Sequence, residues 1–302
     1  MTEPIQLTPL GRWFVSLRPY SFTASLMPVA MAAALSVGTE GSWWTLPLFA
    51  LAAVLFHAGT NVLNDYFDFR HGVDGPDDPD PTHAITQGIV TPRFMLLTGH
   101  IYFFLGVALG VPIAALRGVA YLLAGLAGAL GAYFYTNARF SFKYVALGDP
   151  LVFLLMGPAL VLMGVWGISG SAGTGEALHA VPMALLVTAI LHGNNLRNRR
   201  SDADAGIRTL ATLLGERKSR YLFELLLFFP VILLPLYAFA LPLTPWVLLA
   251  LPALFPAYRL AKEVRSAQSP EILVHLPMRV AQLHTLFSLL YVAGILVSRI
   301  TG

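Results

Sequence analysis

The sequence predicts an all-α, polytopic membrane protein of about nine transmembrane helices, built as two four-helix repeats plus a final helix. Three observations predict it. The 302 residues are 56% hydrophobic and only 12% charged, about half the charged share of a soluble domain. The charged residues gather in short segments between long apolar runs. Two polar clusters then recur after the second and sixth of those runs, four helices apart.

In chain order, the whole of 1–302 reads as one integral-membrane domain. Residues 1–19 form an interfacial lead-in, amphipathic from Arg12 to Arg18, with Trp13 as its anchor. No basic segment leads into an apolar one there, so no cleaved signal peptide is expected. Runs near the ~20 residues a bilayer requires follow at 20–37, 43–63, 93–112, 118–136, 147–168, 179–197, 221–240, 244–262 and 280–299. Pro28, Pro158, Pro230, Pro235, Pro252 and Pro256 fall inside them. Kinks there are tolerated where neighbouring groups satisfy the freed carbonyls. On this reading one membrane side holds 17 of the 19 Lys and Arg, leaving only Arg117 and Arg299 opposite. By the positive-inside rule that side is cytoplasmic. The N-terminus and the segments 64–92 and 197–220, expected as active-site loops, lie on it. The absence of cysteine excludes disulfides, thiol nucleophiles and Cys-ligated metals. The basic pI of about 9.2 comes from topogenic loop arginines, so no nucleic-acid partner is expected.

The first cluster runs from Asn61 through Asn64, Asp65 and Asp68 to Asp74. On a helix, His57, Asn61, Asn64, Asp65 and Asp68 share one face. An ionised Asp at the centre of a membrane helix costs roughly 2.5–3.5 kcal/mol, so such a face points to function. In the second cluster, His192, Asn195, Arg199 and Asp202 again share a face, followed by Asp204. Oxygen donors without sulfur suit Mg²⁺, which usually bridges a few carboxylates to substrate phosphates. Asp65, Asp68 and Asp74, with Asp202 and Asp204, can hold such ions, which would orient a diphosphate leaving group. Arg139, Lys143, Arg197, Arg199 and Arg208 can add fixed positive charge to the same oxygens, with amides from Asn61, Asn64 and Asn195. The helices around them would accept a long apolar tail.

Blander readings stand beside these. Each cluster is otherwise a solvated helix end. His57 and His192 are either proton handlers or buried histidines satisfied by neighbours. Asp149, before Pro150, is either an N-cap or a member of the site. Asp77, Asp78 and Asp80 make an acidic turn or a lid. A transporter of divalent cations or anions would also carry intramembrane carboxylates, but the opposite face is almost free of polar clusters.

The Asn-led Asp-rich motif, Asn194-Asn-Leu-Arg197 and Arg18-Pro19-Tyr20 together resemble the UbiA superfamily of intramembrane aromatic prenyltransferases, over nearly the whole chain. Asn64 through Asp74, Phe142 through Asp149 and Ala205 through Ala211 are most similar to its menaquinone branch, the 1,4-dihydroxy-2-naphthoate polyprenyltransferases (MenA) with their animal vitamin K₂-forming relatives. The resemblance implies Mg²⁺-dependent transfer of a polyprenyl group from its diphosphate to 1,4-dihydroxy-2-naphthoate, with loss of CO₂, giving demethylmenaquinone. 4-Hydroxybenzoate is the alternative acceptor. It implies Asp65, Asp68 and Asp202 as metal ligands, Asn61, Asn64 and Asp74 in support, and Lys143, Arg197 and Arg208 on the diphosphate. Tyr66, Tyr135 and Tyr144 would shield the allylic cation. It also implies an enzyme of a bacterial inner membrane, in contact with membrane lipids. The chain departs from the pattern at Asn198, where the family commonly has Asp, and at His83, near where it often has Arg.

Overall fold

A computed structural model describes residues 8–73, 83–137, 141–240 and 245–301. Asp74, Arg139 and the acidic turn with Asp77, Asp78 and Asp80 lie outside these residues. Among the described residues the only β-type pairing is a single parallel bridge between Val145 and Arg208; everything regular is helical.

Helix α1, Pro9–Ser16, opens on Thr8, whose hydroxyl accepts the Gly11 N–H, with proline in the first turn. It leaves Leu10 and Phe14 exposed and sets Trp13 edge-on to Phe94 at 5.3 Å. A 3₁₀ turn, Pro19–Phe22, leads into α2, Thr23–Leu35. Then come α3 (Thr45–Arg70), α4 (Pro92–Arg117) and α5 (Val119–Phe134). The next span is α6 (Gly148–Leu154), a π-helical turn (Leu155–Ala159) and α7 (Leu160–Ser169). The rest is α8 (Thr174–Arg197), α9 (Arg199–Asp204), α10 (Leu210–Ala240), α11 (Leu254–Ser266) and α12 (Leu276–Thr301).

Among the described residues six helical stretches are long and apolar enough to cross a membrane: α3, α4, Gly148–Ser169, α8, α10 and α12. The sequence reading of about nine spans is therefore refined. Three expected spans are shorter or broken. Pro19–Leu35 and Val119–Phe134 are apolar but short. The eighth is a 3₁₀ segment, Pro245–Ala253, followed by α11. Pro245 and Pro252 supply no N–H to a helical ladder there, and Arg259, Lys262, Glu263 and Arg265 make α11 polar on one side. The two expected four-helix repeats also differ in outline. Helix α3 runs unbroken through its polar cluster to Arg70, whereas α8 stops at Arg197. Residues 64–70 and most of 197–220 are thus helix rather than loop. Helix α10 starts ahead of the expected 221–240 and bends at Gly215, whose φ of 70° suits glycine.

The main core lies among α2, α8, α10, α12 and the 3₁₀ segment, around Phe223, Phe287 and Tyr291. Lipid is as apolar as these side chains, so close packing rather than water exclusion holds them. At Gly294 an added Cβ would stand 2.3 Å from the Trp246 carbonyl oxygen, so glycine lets α12 touch the 3₁₀ backbone. First and last spans are tied by Thr23 Oγ1, which meets His284 Nδ1 at 2.9 Å and accepts from Thr285 Oγ1 at 2.8 Å. Such bonds contribute about 0.6 kcal/mol each in a bilayer. Helix α5 contrasts with this core: Tyr121 is its one buried residue.

Candidate active site

The polar end of α3 carries the chemistry. Its buried face delivers His57, Asn64, Asp65 and Asp68 inward, as the 3.6-residue period requires. Lys143 comes from the strap between α5 and α6. Its Nζ lies 2.6 Å from Asp68 Oδ2 and 3.2 Å from Asn64 Oδ1. Tyr144 Oη donates to Asp68 Oδ1 at 2.5 Å, and Asn64 Nδ2 donates to Asp68 Oδ2 at 2.7 Å. Asp68 is thus compensated on both oxygens. Asp65 is not. Its Oδ2 accepts the Ala84 N–H at 3.0 Å, while its Oδ1 is buried with no hydrogen-bond partner among the described residues.

The strap is pinned at both ends. Lys143 N–H donates to Tyr135 O, and Arg208 N–H to Tyr144 O beside the Val145–Arg208 bridge. Through it the second cluster reaches the first. Asp202, buried on α9, lies close enough to Lys143 and Asp68 for their charges to bear on it. Burial pushes its carboxyl up to about 6; Asp68 adds to this, while Lys143 and Arg197 oppose it.

A cavity of about 140 Å³ joins these parts, with Arg18, His57, Asn64, Tyr135, Lys143 and Asn194 among its lining. Arg18, which the sequence offers only as part of a motif, is given a place in the site by the structure. Its φ of 55° is left-handed, a strained state for a residue with a Cβ, costing roughly 1–3 kcal/mol. Its charge bears on Asp65 and Asp68. The turn is held by Asn61 Nδ2 donating to Leu17 O at 3.0 Å, and by Ser21, whose N–H and Oγ both donate to Arg18 O. Among the described residues the other non-glycine at positive φ is Ala146, in the Lys143 strap. Strain of this kind clusters at functional sites. His83, buried, bears on Asp65 in the same way as Arg18.

Other candidates fall elsewhere. His57 is bracketed by Ser21 Oγ at 3.0 Å and Ser25 Oγ at 2.8 Å, both ring nitrogens engaged. His192 and Asn195 turn to Asp149: His192 Nδ1 is 2.5 Å from Asp149 Oδ2, and Asn195 Nδ2 donates to Asp149 Oδ1 at 3.0 Å. Ser219 Oγ meets His192 Nε2 at 2.8 Å, tying α6, α8 and α10 together. The neighbouring Asn194, not Asn195, lines the cavity. Arg197 binds Asn198 Oδ1 and Val274 O, and Arg199 pairs with Glu216 at 3.0 Å. Arg208 and Asp204 are exposed. Tyr66 packs against a small core of Val62, Ala84, Ile85 and Met95, outside the cavity lining.

The donor set accommodates a divalent cation. The orphaned Asp65 Oδ1 lacks what a cation supplies, and Asp68 already attracts Lys143 Nζ. No three Asp, Glu or His side chains form a cage among the described residues. Mg²⁺ needs none, since one or two carboxylates plus substrate phosphates and waters commonly hold it. Beyond the polar cavity lies a second, of about 150 Å³, between α3, α4, α5 and the π turn. Ala132, Leu155 and Met156 line both, so these three residues form the neck at which the two adjoin.

Comparison with known proteins gives a family and a fold. The model of the UbiA prenyltransferase family matches residues 25–273. The protein named UbiA prenyltransferase domain-containing protein 1 is 34% identical in Homo sapiens over 293 residues, 95% of this chain and 83% of the relative. Its homolog in Drosophila melanogaster is 34% identical over 291 residues, 94% of this chain and 79% of the relative. Among solved structures, a UbiA homolog from Archaeoglobus fulgidus bound to GPP and Mg²⁺ superposes with a TM-score of 0.66. It is 16% identical, over 93% of this chain and 99% of that one. The apo UbiA homolog from Aeropyrum pernix K1 gives a TM-score of 0.68 at 17% identity, over 93% and 98% of the two chains. These structural likenesses speak to the fold.

Proposed function

The chain belongs to the UbiA prenyltransferase family, and from that premise we propose that it transfers a polyprenyl group from its diphosphate to an aromatic acceptor, with Mg²⁺ as cofactor. It is an integral membrane protein of the transferase class. The observation that carries the reading is a polar cavity adjoining an apolar one at Ala132, Leu155 and Met156, with Asn64 and Lys143 in the polar lining and Asp68 bonded to both. A diphosphate fits the first and its tail the second.

In the reaction the allylic C1–O bond breaks and the diphosphate leaves with the bonding pair. A ring carbon of the acceptor bonds to C1, and the ring then releases a proton, or CO₂ where that carbon bears a carboxylate. Asp65 and Asp68 would hold the cofactor, with Asp202 facing them from α9. Bound Mg²⁺ supplies charge neutralisation to the leaving group. Lys143 and Arg18, both in the cavity lining, would supply positive charge to the diphosphate oxygens. Tyr135 turns its ring toward the chamber in which cationic character develops at C1. His57, already bonded on both nitrogens to Ser21 and Ser25, orients the Arg18 turn.

The finer reading takes 1,4-dihydroxy-2-naphthoate as acceptor, supported by the likeness of Phe142 through Asp149 to the menaquinone branch. The relatives named above carry no menaquinone-specific name, so an acceptor of the broader aromatic class, 4-hydroxybenzoate included, stands on firmer ground. Those two relatives come from animals and lend nothing to a bacterial inner membrane. Cytoplasmic placement of the site rests on the charge bias alone.

The test is a matched acceptor assay on purified protein in nanodiscs, with geranylgeranyl diphosphate, Mg²⁺ and each acceptor in turn, read by mass spectrometry. We expect a prenylated ring that disappears with EDTA and with Asp65→Asn. Product from 4-hydroxybenzoate alone would keep the chemistry and replace the acceptor. No product, and no diphosphate release, would overturn the reading.

A further inference from the structure

The apolar cavity has a definite far wall. Tyr121 is 3% exposed on an otherwise lipid-facing helix. Its hydroxyl donates to Met163 O at 3.3 Å, and its ring stands edge-on to Trp166 with centroids 5.3 Å apart. Ile113 packs against it from α4. The side walls, by contrast, are made of missing side chains. Gly110 and Gly128 line the cavity, and an added Cβ at either would meet nothing within 4 Å. At Gly125 it would meet only Met163, at 3.7 Å. Three glycines on two facing helices therefore leave a slot that runs from the neck to one large, fixed aromatic residue.

Resting on the proposed prenyl-diphosphate chemistry, we infer that this slot sets the length of prenyl chain the protein prefers, with Tyr121 as its end stop. Ala132 at the neck and Tyr121 at the wall are eleven residues apart on α5, a rise of about 16 Å. An extended chain advances roughly 1.2 Å per bond, so an isoprene unit of four bonds covers about 5 Å. About three units lie between neck and wall. The unit carrying C1 occupies the polar chamber. The slot thus encloses a chain of about four units. A longer chain has to leave sideways past Leu122 and Leu126, which border the slot and face lipid. Tail atoms in lipid already have apolar neighbours, so additional units gain no enclosed packing.

The test is displacement of labelled geranylgeranyl diphosphate from the full chain in nanodiscs with Mg²⁺, by inorganic pyrophosphate and by diphosphates of two, three, four, six and eight units. In the unaltered protein, binding strengthens up to four units, by about tenfold from two to four, and then levels or falls. Tyr121→Ala moves that break to six units or more. Gly128→Leu, which fills the slot, moves it to three or fewer. Tyr121→Phe, losing only the hydroxyl, leaves it in place. The product profile from an equimolar mixture of the chains shifts in the same order. A break at the same length in Y121A, G128L and the unaltered protein, all of them binding, would overturn the end stop and leave the proposed function intact. Failure of every diphosphate to bind, inorganic pyrophosphate included, would overturn both.

Discussion

The two polar clusters have similar sequences and different fates. On α3 the helix continues past the motif, so His57, Asn64, Asp65 and Asp68 stay in one buried register, with His57 and Asn64 lining the chamber and Asp68 bonded to Asn64 and Lys143. On α8 the helix ends at Arg197 and resumes as the short α9. That break divides the motif. His192 and Asn195 hold Asp149 inside the bundle, while Asn194 lines the chamber and Asp202 is buried where the charges of Lys143 and Asp68 bear on it. One cluster is kept at a cost for its chemistry, and the root of the other is a latch among α6, α8 and α10. The residue types alone do not distinguish these roles. The partner each side chain finds does.

Substitution can break or sharpen this contrast. The largest effect is expected at Asp65. Asp65→Asn should lower kcat/KM for prenyl transfer by on the order of 10³-fold, yet leave the melting temperature level or raised, because a buried, half-unpaired carboxylate becomes neutral. Asp149→Ala should do the reverse. It strands His192 and Asn195 in the interior, costing roughly 3 kcal/mol of stability, while kcat in the folded fraction stays within about tenfold. A matched pair of activity assays and thermal melts checks both.

Adjacent asparagines give a finer version. Asn194→Ala should raise KM for the prenyl diphosphate about tenfold, about 1.4 kcal/mol, with little change in stability. Asn195→Ala should cost about 1–3 kcal/mol of stability by leaving Asp149 short of a donor, with KM unchanged. If both variants behave alike, the division of the second cluster is wrong.

The smallest effect concerns pH. The Asp202 carboxyl, raised to about 6 by burial, keeps its proton more readily folded than unfolded. Its favourable share of stability is therefore fully present below about pH 4 and is lost as pH rises through about 6. Asp202→Asn should stabilise the protein by roughly 1–3 kcal/mol at pH 7.5 and by little at pH 4. Apparent Mg²⁺ affinity should strengthen between pH 5.5 and 7 in the unaltered protein, and this dependence should flatten in the variant. Calorimetry with Mg²⁺ and pyrophosphate reads it.

Much of this was legible in the sequence, for identifiable reasons. Charge segregation gave the membrane class, and the helical period put Asn64, Asp65 and Asp68 on one face, where they stand. The span count was harder to read, because hydropathy does not tell a helix from the 3₁₀ segment at Pro245–Ala253. Asn195 and Asn194 differ by one position, and only the packing of α6 against α8 decides which faces the chamber. Arg18 was quoted as part of a motif, but its left-handed backbone depends on Asn61 holding Leu17. The end stop at Tyr121 was invisible, since a tyrosine in an apolar run carries no sign of what it closes.

The most direct measurement sets Asp65→Asn beside His192→Ala in one preparation, recording diphosphate release and the thermal melt of each. The account predicts a stable, inactive protein in the first case, and in the second a destabilised one that still releases diphosphate in its folded fraction. A fully active Asp65→Asn, or a stable but inactive His192→Ala, would contradict it.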